Sequence, residues 1–235
     1  MLVPLPVPAW SKSTLRYRTR PRPKRSFHTV LDAADLVHDG ESTVVTLEDH
    51  GPAATLGVTV PLRVGRIEAT VEHTVEGPAR GLKVKRLDRR VLNREGSVSR
   101  EEKIDFSSST HALPSCTYVE VSMPFLLGAQ PFDGKRRSIY AWICDRFVAK
   151  VYYESHGTET ITVPHGKHKV REILLYPDLN DWVHLPGIIT TLSKPFLPKY
   201  HMRYEVDPPH RLISFEGPYG PPGAPEIVLE LESVS

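Results

Sequence analysis

Leu62-Arg-Val-Gly-Arg-Ile-Glu-Ala-Thr-Val-Glu-His-Thr-Val75 decides the fold class. Ile67, Ala69, Val71 and Val75 fall on one side of an extended chain, and Arg66, Glu68, Thr70, Glu72 and Thr74 on the other. Side chains alternate across a strand, so a period of two with one apolar side marks a strand half-buried in an antiparallel sheet.

The same period recurs further along. Phe147, Ala149, Val151 and Tyr153 alternate with Val148, Lys150, Tyr152 and Glu154. Tyr200, Met202, Tyr204 and Val206 alternate with His201, Arg203 and Glu205, and Ile227, Leu229 and Leu231 with Glu226, Val228, Glu230 and Glu232. Breaks at Asp39-Gly40, Gly77-Pro78, Glu95-Gly96, Asp133-Gly134 and His165-Gly166 punctuate the runs, with tight hairpins expected over Asn93–Gly96 and Pro164–Lys167. Helical spacing is confined to Pro186–Leu197, where Pro195 ends it. Strands that are not separated by long helices exclude a parallel α/β fold. The expectation is an all-β chain, built as a strongly curved antiparallel sheet or a closed β-barrel with one short helix.

Charge divides the chain. Seven of the 30 basic residues lie before Asp32 without a single acid, so 23 bases face 28 acids in the rest. Residues 1–25 read as a basic, Pro-rich arm, solvated or in contact with an acidic partner, and residues 26–235 as a single barrel-like domain. Within the arm, Arg16-Tyr-Arg-Thr-Arg20 alternates like an edge strand.

Several chemistries lack their signatures. There is no Gly-x-Ser-x-Gly elbow and no Gly-rich phosphate loop opening a helix. Cys116 and Cys144 read as two free, mostly buried thiols. His165-Gly-Lys-His168 supplies two imidazoles at a turn, short of the three or four ligands a zinc site needs. No metal, cofactor or nucleic acid is expected. Met123-Pro-Phe-Leu-Leu127, the most apolar piece, is too short to span a bilayer. Met1–Trp10 is apolar but carries Pro4, Pro6 and Pro8 with no basic residue ahead of it, unlike a secretory signal, so a cytoplasmic location is expected.

The functional candidates gather between Asp178 and Glu226. Glu216-Gly-Pro-Tyr-Gly-Pro-Pro-Gly-Ala-Pro-Glu226 combines residues that fix φ with residues that free it, which restricts the loop to few paths. Asp181 and His184 lie beside Trp182, and His210, Arg211 and Glu216 flank Ile213 and Phe215. A His or carboxylate against aromatic walls can move protons, and the same residues can equally be ion pairs that fix loop ends. Asp181, His184 and His210 are therefore the candidate acid/base groups. Trp142, Trp182, Tyr200, Tyr204, Phe215 and Tyr219 are the candidate walls of a pocket.

A family resemblance accompanies these motifs. Leu87-Asp-Arg-Arg-Val91, Arg100-Glu-Glu-Lys-Ile-Asp-Phe106, Tyr140-Ala-Trp142, Tyr176-Pro-Asp-Leu-Asn-Asp-Trp182 and Phe215-Glu-Gly-Pro-Tyr-Gly-Pro-Pro-Gly-Ala-Pro225 resemble bacterial proteins of the uncharacterised family DUF3108. The resemblance implies a β-rich bacterial domain and brings no activity with it. Many members look exported, and the chain departs from them in its N-terminus.

The expected partner is a small hydrophobic molecule held inside the β-structure. The alternative is a cofactor-independent cyclase or isomerase that acts on such a molecule, polyketide- or terpenoid-like, by pocket shape plus acid/base residues. A third possibility is an assembly protein recruited through the basic arm. Oligomeric state is left open by the sequence.

Overall fold

Alternation along each strand becomes burial in the computed structural model, which describes residues 2, 4–22, 40–107, 113–144, 147–178, 199–219 and 226–235. Among the described residues thirteen strands follow in chain order: β1 Thr14–Pro21, β2 Ser42–Asp49, β3 Ala53–Leu62, β4 Gly65–Glu76, β5 Gly81–Asn93, β6 Val98–Asp105, β7 Thr117–Val119, β8 Arg137–Cys144, β9 Phe147–Val163, β10 Gly166–Pro177, β11 Tyr200–Glu205, β12 Leu212–Pro218 and β13 Glu226–Val234. They form one sheet in the order β6-β5-β4-β3-β2-β1-β13-β12-β11-β10-β9-β8-β7. Its pairings are antiparallel apart from β7 with β8, which is parallel.

The sheet is open rather than closed. β6 and β7 are its edges, and β6 carries Arg100, Glu101, Glu102, Lys103 and Asp105, the charged composition that blunts an edge against further pairing. Curvature nevertheless brings the two ends together. The phenol of Tyr118 on β7 donates to the carbonyl of Leu82 on β5 at 3.1 Å, and accepts from the Leu5 amide at 2.7 Å. The closed-barrel form of the expectation is thus replaced by a curled open sheet whose ends meet through side chains.

The N-terminal segment corrects the sequence reading. Residues 14–21, placed in a solvated arm or at most an edge strand, form β1 in the middle of the sheet, between β2 and β13. Leu15, Tyr17 and Thr19 are fully buried, and Leu5 and Trp10 join the same core. Burying a side chain such as Leu15 contributes about 1.5–3 kcal/mol, ample reason for the segment to leave solvent. The opposite face carries its cations to the acids of the body. Arg20 pairs with Glu230 at 2.6 Å, and Arg22 with Glu216 at 2.8 Å and Glu226 at 3.2 Å. The acidic partner of these two arginines is the chain's own β12 and β13.

Turn chemistry sets the registers. The Asn93 side chain accepts from the amides of Glu95 and Ser97 at 3.1 and 2.8 Å, and Gly96 takes φ +84°, which closes the β5–β6 hairpin. The helix expected over Pro186–Leu197 lies outside the described residues. The described helix is α1, Met123–Leu126, extended by a 3-10 turn over Leu127–Ala129. Pro124 fixes φ at its start, and all four of its residues are buried. Cys116 and Cys144 are free thiols; Cys116 is half-buried and Cys144 is exposed, where burial was expected for both.

Candidate functional site

One cleft combines apolar walls with an incompletely paired carboxylate. Its floor is the inner face of β8, β9 and β10, through Ala141, Ile143, Val151 and Leu175. Tyr200 and Met202 of β11, Phe215 of β12 and the following Tyr219 close one side, and Met123 and Pro124 of α1 the other. The enclosed volume is about 40 Å³, enough for a few ligand atoms at its narrow end. Tyr219 packs edge-on against Phe215 at 5.6 Å, and its phenol donates to the Val121 carbonyl at 3.2 Å.

Glu120 is the charged residue of this wall. It follows directly on β7, where its amide donates to the Trp142 carbonyl at 3.1 Å. Its Oε1 accepts from Arg89 Nη1 at 2.7 Å. Its Oε2 is buried and has no hydrogen-bond partner among the described residues. Arg89 lies on the same inward-facing side of β5 as the core residue Leu87. Its Nε and Nη2 are committed to Oε2 of Glu102, directly opposite on β6, at 2.9 and 2.5 Å. One guanidinium therefore serves two carboxylates. Burial pushes the Glu120 carboxyl up to about 7, and Arg89 only partly offsets this. The phenols of Tyr200, raised to about 12, and Tyr219 are pushed up by burial and secondarily by the Glu120 charge.

The sequence-derived candidates separate in space. Tyr200, Phe215 and Tyr219 line the cleft. Trp142 does not, because β8 turns Ala141 and Ile143 to the cleft and Trp142 to the other face. There it packs edge-on against Phe106 at 5.3 Å, with the Arg89 guanidinium 5.9 Å from its ring centre. Tyr204 is a filled-core residue rather than a wall, with its phenol donating to the Pro124 carbonyl at 2.6 Å and its ring against Gly128. His210 sits at the turn before β12, its Nδ1 3.0 Å from the Glu205 carbonyl oxygen and its ring edge-on to Phe132. Arg211 pairs with Glu205 at 2.9 Å, and Glu216 with Arg22. Those three residues thus fix strand ends away from the cleft. Asp181, Trp182 and His184 lie outside the described residues, as does most of the Gly/Pro loop, 220–225. Asp178, expected beside them, stands 4.0 Å from Lys150.

Glu120 was missed in the sequence. The signal that marks it is a lone charge within Tyr118-Val-Glu-Val-Ser-Met-Pro-Phe-Leu-Leu127. A larger cavity of about 250 Å³ lies between Pro4, Phe106 and Cys116, and a groove of about 530 Å³ runs past Arg63, Arg66 and Arg94. Among the described residues neither contains a buried, unpaired carboxylate. Among the described residues no three His, Cys, Asp or Glu side chains converge as metal ligands, and no helix is long and apolar enough to cross a membrane. His165 and His168 face one another, with Nδ1 and Nε2 3.0 Å apart.

No family model and no curated protein matches the chain. Among solved structures, it is similar to the hypothetical lipoprotein YmcC from Escherichia coli, at 11% identity over 94% of this chain and 83% of that one, with a TM-score of 0.33. It is also similar to the Mycobacterium tuberculosis lipoprotein LppX, at 13% identity over 94% and 85% of the two chains, with a TM-score of 0.29. A Bacteroides fragilis structure with a YmcC-like fold, designated an exported protein, aligns at 11% identity over 99% of this chain and 100% of that one, with a TM-score of 0.31. These neighbours are lipoproteins or exported proteins, in contrast to the cytoplasmic location expected from the sequence.

Proposed function

We propose that the protein binds a small hydrophobic molecule whose narrow end enters the cleft between Ala141, Met202 and Phe215. The observation that supports this reading is the composition of the walls: side chains of Ile, Val, Leu, Met, Phe and Tyr around a single carboxylate. Apolar surface that loses its water on contact drives such binding without a specific partner, and one polar group then orients the ligand. The test is a titration with an apolar fluorescent probe, N-phenyl-1-naphthylamine. Saturable binding is expected in the wild type. Ala141→Phe, which fills the floor of the cleft, removes it while the folded circular-dichroism spectrum persists. Probe binding unchanged by Ala141→Phe contradicts the reading.

A second reading, isomerisation or cyclisation of the bound molecule without a cofactor, is favoured by one observation. A carboxyl group raised to about 7 exchanges protons near neutrality, as a general acid or base requires. Turnover of a bound candidate that stops in Glu120→Gln, with binding retained, is the outcome this reading expects.

A further inference from the structure

Among the described residues, the charges around the cleft do not balance. Arg89 on β5 is the cation of the cluster, and it faces Glu102 from β6 and Glu120 after β7. Two of its three nitrogens serve Glu102, and the third serves Oε1 of Glu120. The phenols of Tyr200 and Tyr219 approach from β11 and the end of β12, and both remain neutral because their ionisation is pushed upward. With both carboxylates ionised, the cluster keeps one excess negative charge beside an apolar cavity. Desolvated charge of that kind is costly unless a partner arrives. The Oε2 oxygen of Glu120, buried and without a hydrogen bond among the described residues, is where a partner fits.

We infer that the ligand is an amphiphilic amine, its apolar chain in the cleft and its protonated nitrogen on Oε2 of Glu120. This rests on the binding reading above and names the chemistry of the molecule bound. A protonated amine donates the hydrogen bond that Oε2 lacks and cancels the excess charge. A neutral alcohol donates the bond but leaves the charge. A carboxylate adds a second negative charge to the same corner. Hydrogen bonds between charged partners are about twice as strong as neutral ones, which sets the order amine, alcohol, acid.

The experiment compares three ligands of one chain length, hexylamine, hexanol and hexanoate, as competitors of the fluorescent probe near pH 8, where Glu120 is ionised. Hexylamine is expected to displace the probe at a concentration about tenfold or more below that of hexanol, with hexanoate weakest. Glu120→Gln, which keeps the shape and removes the charge, brings hexylamine and hexanol to the same affinity. Where that variant does not fold, the wild type carries the test. Its preference for the amine over the alcohol shrinks as pH falls through 7 towards 5.5 and Glu120 takes up a proton. Equal affinity for hexylamine and hexanol in the wild type, a preference for hexanoate, or a preference indifferent to pH overturns the inference while leaving the binding reading standing. If none of the three displaces the probe and the probe itself does not bind, both fall together.

Discussion

Nη1 of Arg89 donates to Oε1 of Glu120 at 2.7 Å, and so joins β5 to the residue that follows β7, near opposite ends of the sheet order. The contact ties the two ends of the curled sheet together and sets a cation beside the cleft. Both roles depend on the guanidinium lying inward, over the ring of Trp142, where water screens it little.

Replacing Arg89 by Leu is expected to destabilise the fold by about 3 kcal/mol, because it leaves Glu102 and Glu120 half-buried without a cation. Arg89→Lys, which keeps the charge but not the fork, falls between. Chemical denaturation measures both. A loss below about 1 kcal/mol for Arg89→Leu shows that the pair behaves as a solvated surface bridge.

His73 supplies a pH dependence of known sign. Its ring is fully buried on β4 and makes no well-formed hydrogen bond, and burial lowers its pKa from 6.5 to about 4. As pH falls below 6.5 the unfolded chain takes up the proton first, so stability contributed by neutral His73 is present above 6.5 and lost towards 4. At about 1.4 kcal/mol per pH unit, the loss across that interval is about 3 kcal/mol. In denaturant midpoints measured between pH 4.5 and 7, wild type is expected to gain stability relative to His73→Leu as pH rises. Parallel wild-type and variant curves refute it.

Glu120 has the opposite slope. Its folded pKa, about 7, lies above its ordinary 4.5, so the folded state holds the proton more tightly and its contribution is lost as pH rises from 4.5 through 7. Wild type therefore changes less between pH 5 and 6.5 than either single variant does. Glu120→Gln is expected to gain stability relative to wild type as pH rises towards 8. A constant difference across that range contradicts the assignment.

Deletion of residues 1–21 is expected to abolish cooperative unfolding, because it removes β1 from between β2 and β13 and takes Leu15 and Tyr17 out of the core. Thermal or urea melts of the truncated protein decide this. A cooperative transition near the wild-type midpoint restores the separable arm.

Two glycines distinguish strain from crowding. Gly217 takes φ +153°, a conformation that a Cβ penalises, and Gly217→Ala is expected to cost about 1 kcal/mol or more. At Gly128 a Cβ meets the His210 carbonyl oxygen at 2.4 Å and the Tyr204 ring at 2.6 Å. Gly128→Ala is expected to cost about 2 kcal/mol or more, since backbone has to move to admit it. Denaturant midpoints equal to wild type in both variants exclude these close approaches.

The strands were legible where one face is wet. β4, β9, β11 and β13 carry the period of two, and the hairpins at Asn93–Gly96 and Pro164–Lys167 carry turn residues that act within a few positions. β1 was visible as an alternation, but the seven cations in and around it pointed to solvent, and its central place follows from the burial of Leu15 and Tyr17 together with the acids of β12 and β13 that meet its arginines. α1 was hidden because four buried apolar residues have no polar face to give a period. The cleft was half legible. Tyr200, Phe215 and Tyr219 belong to the strand-and-loop run that was singled out, whereas Trp142 and Tyr204 needed the face of β8 and the seat of α1 to be known. Glu120 and Arg89 are 31 positions apart, and local sequence does not record a contact made by curling a sheet.

The most direct test of a ligand-binding cleft locates an apolar molecule in it. Crystals soaked with 1-bromohexane report the alkyl chain through the anomalous scattering of bromine. The account predicts a bromine peak between Ala141, Met202 and Phe215, absent in Ala141→Phe crystals of the same form. A peak only in the cavity beside Phe106 and Cys116, or none in either cavity, contradicts it.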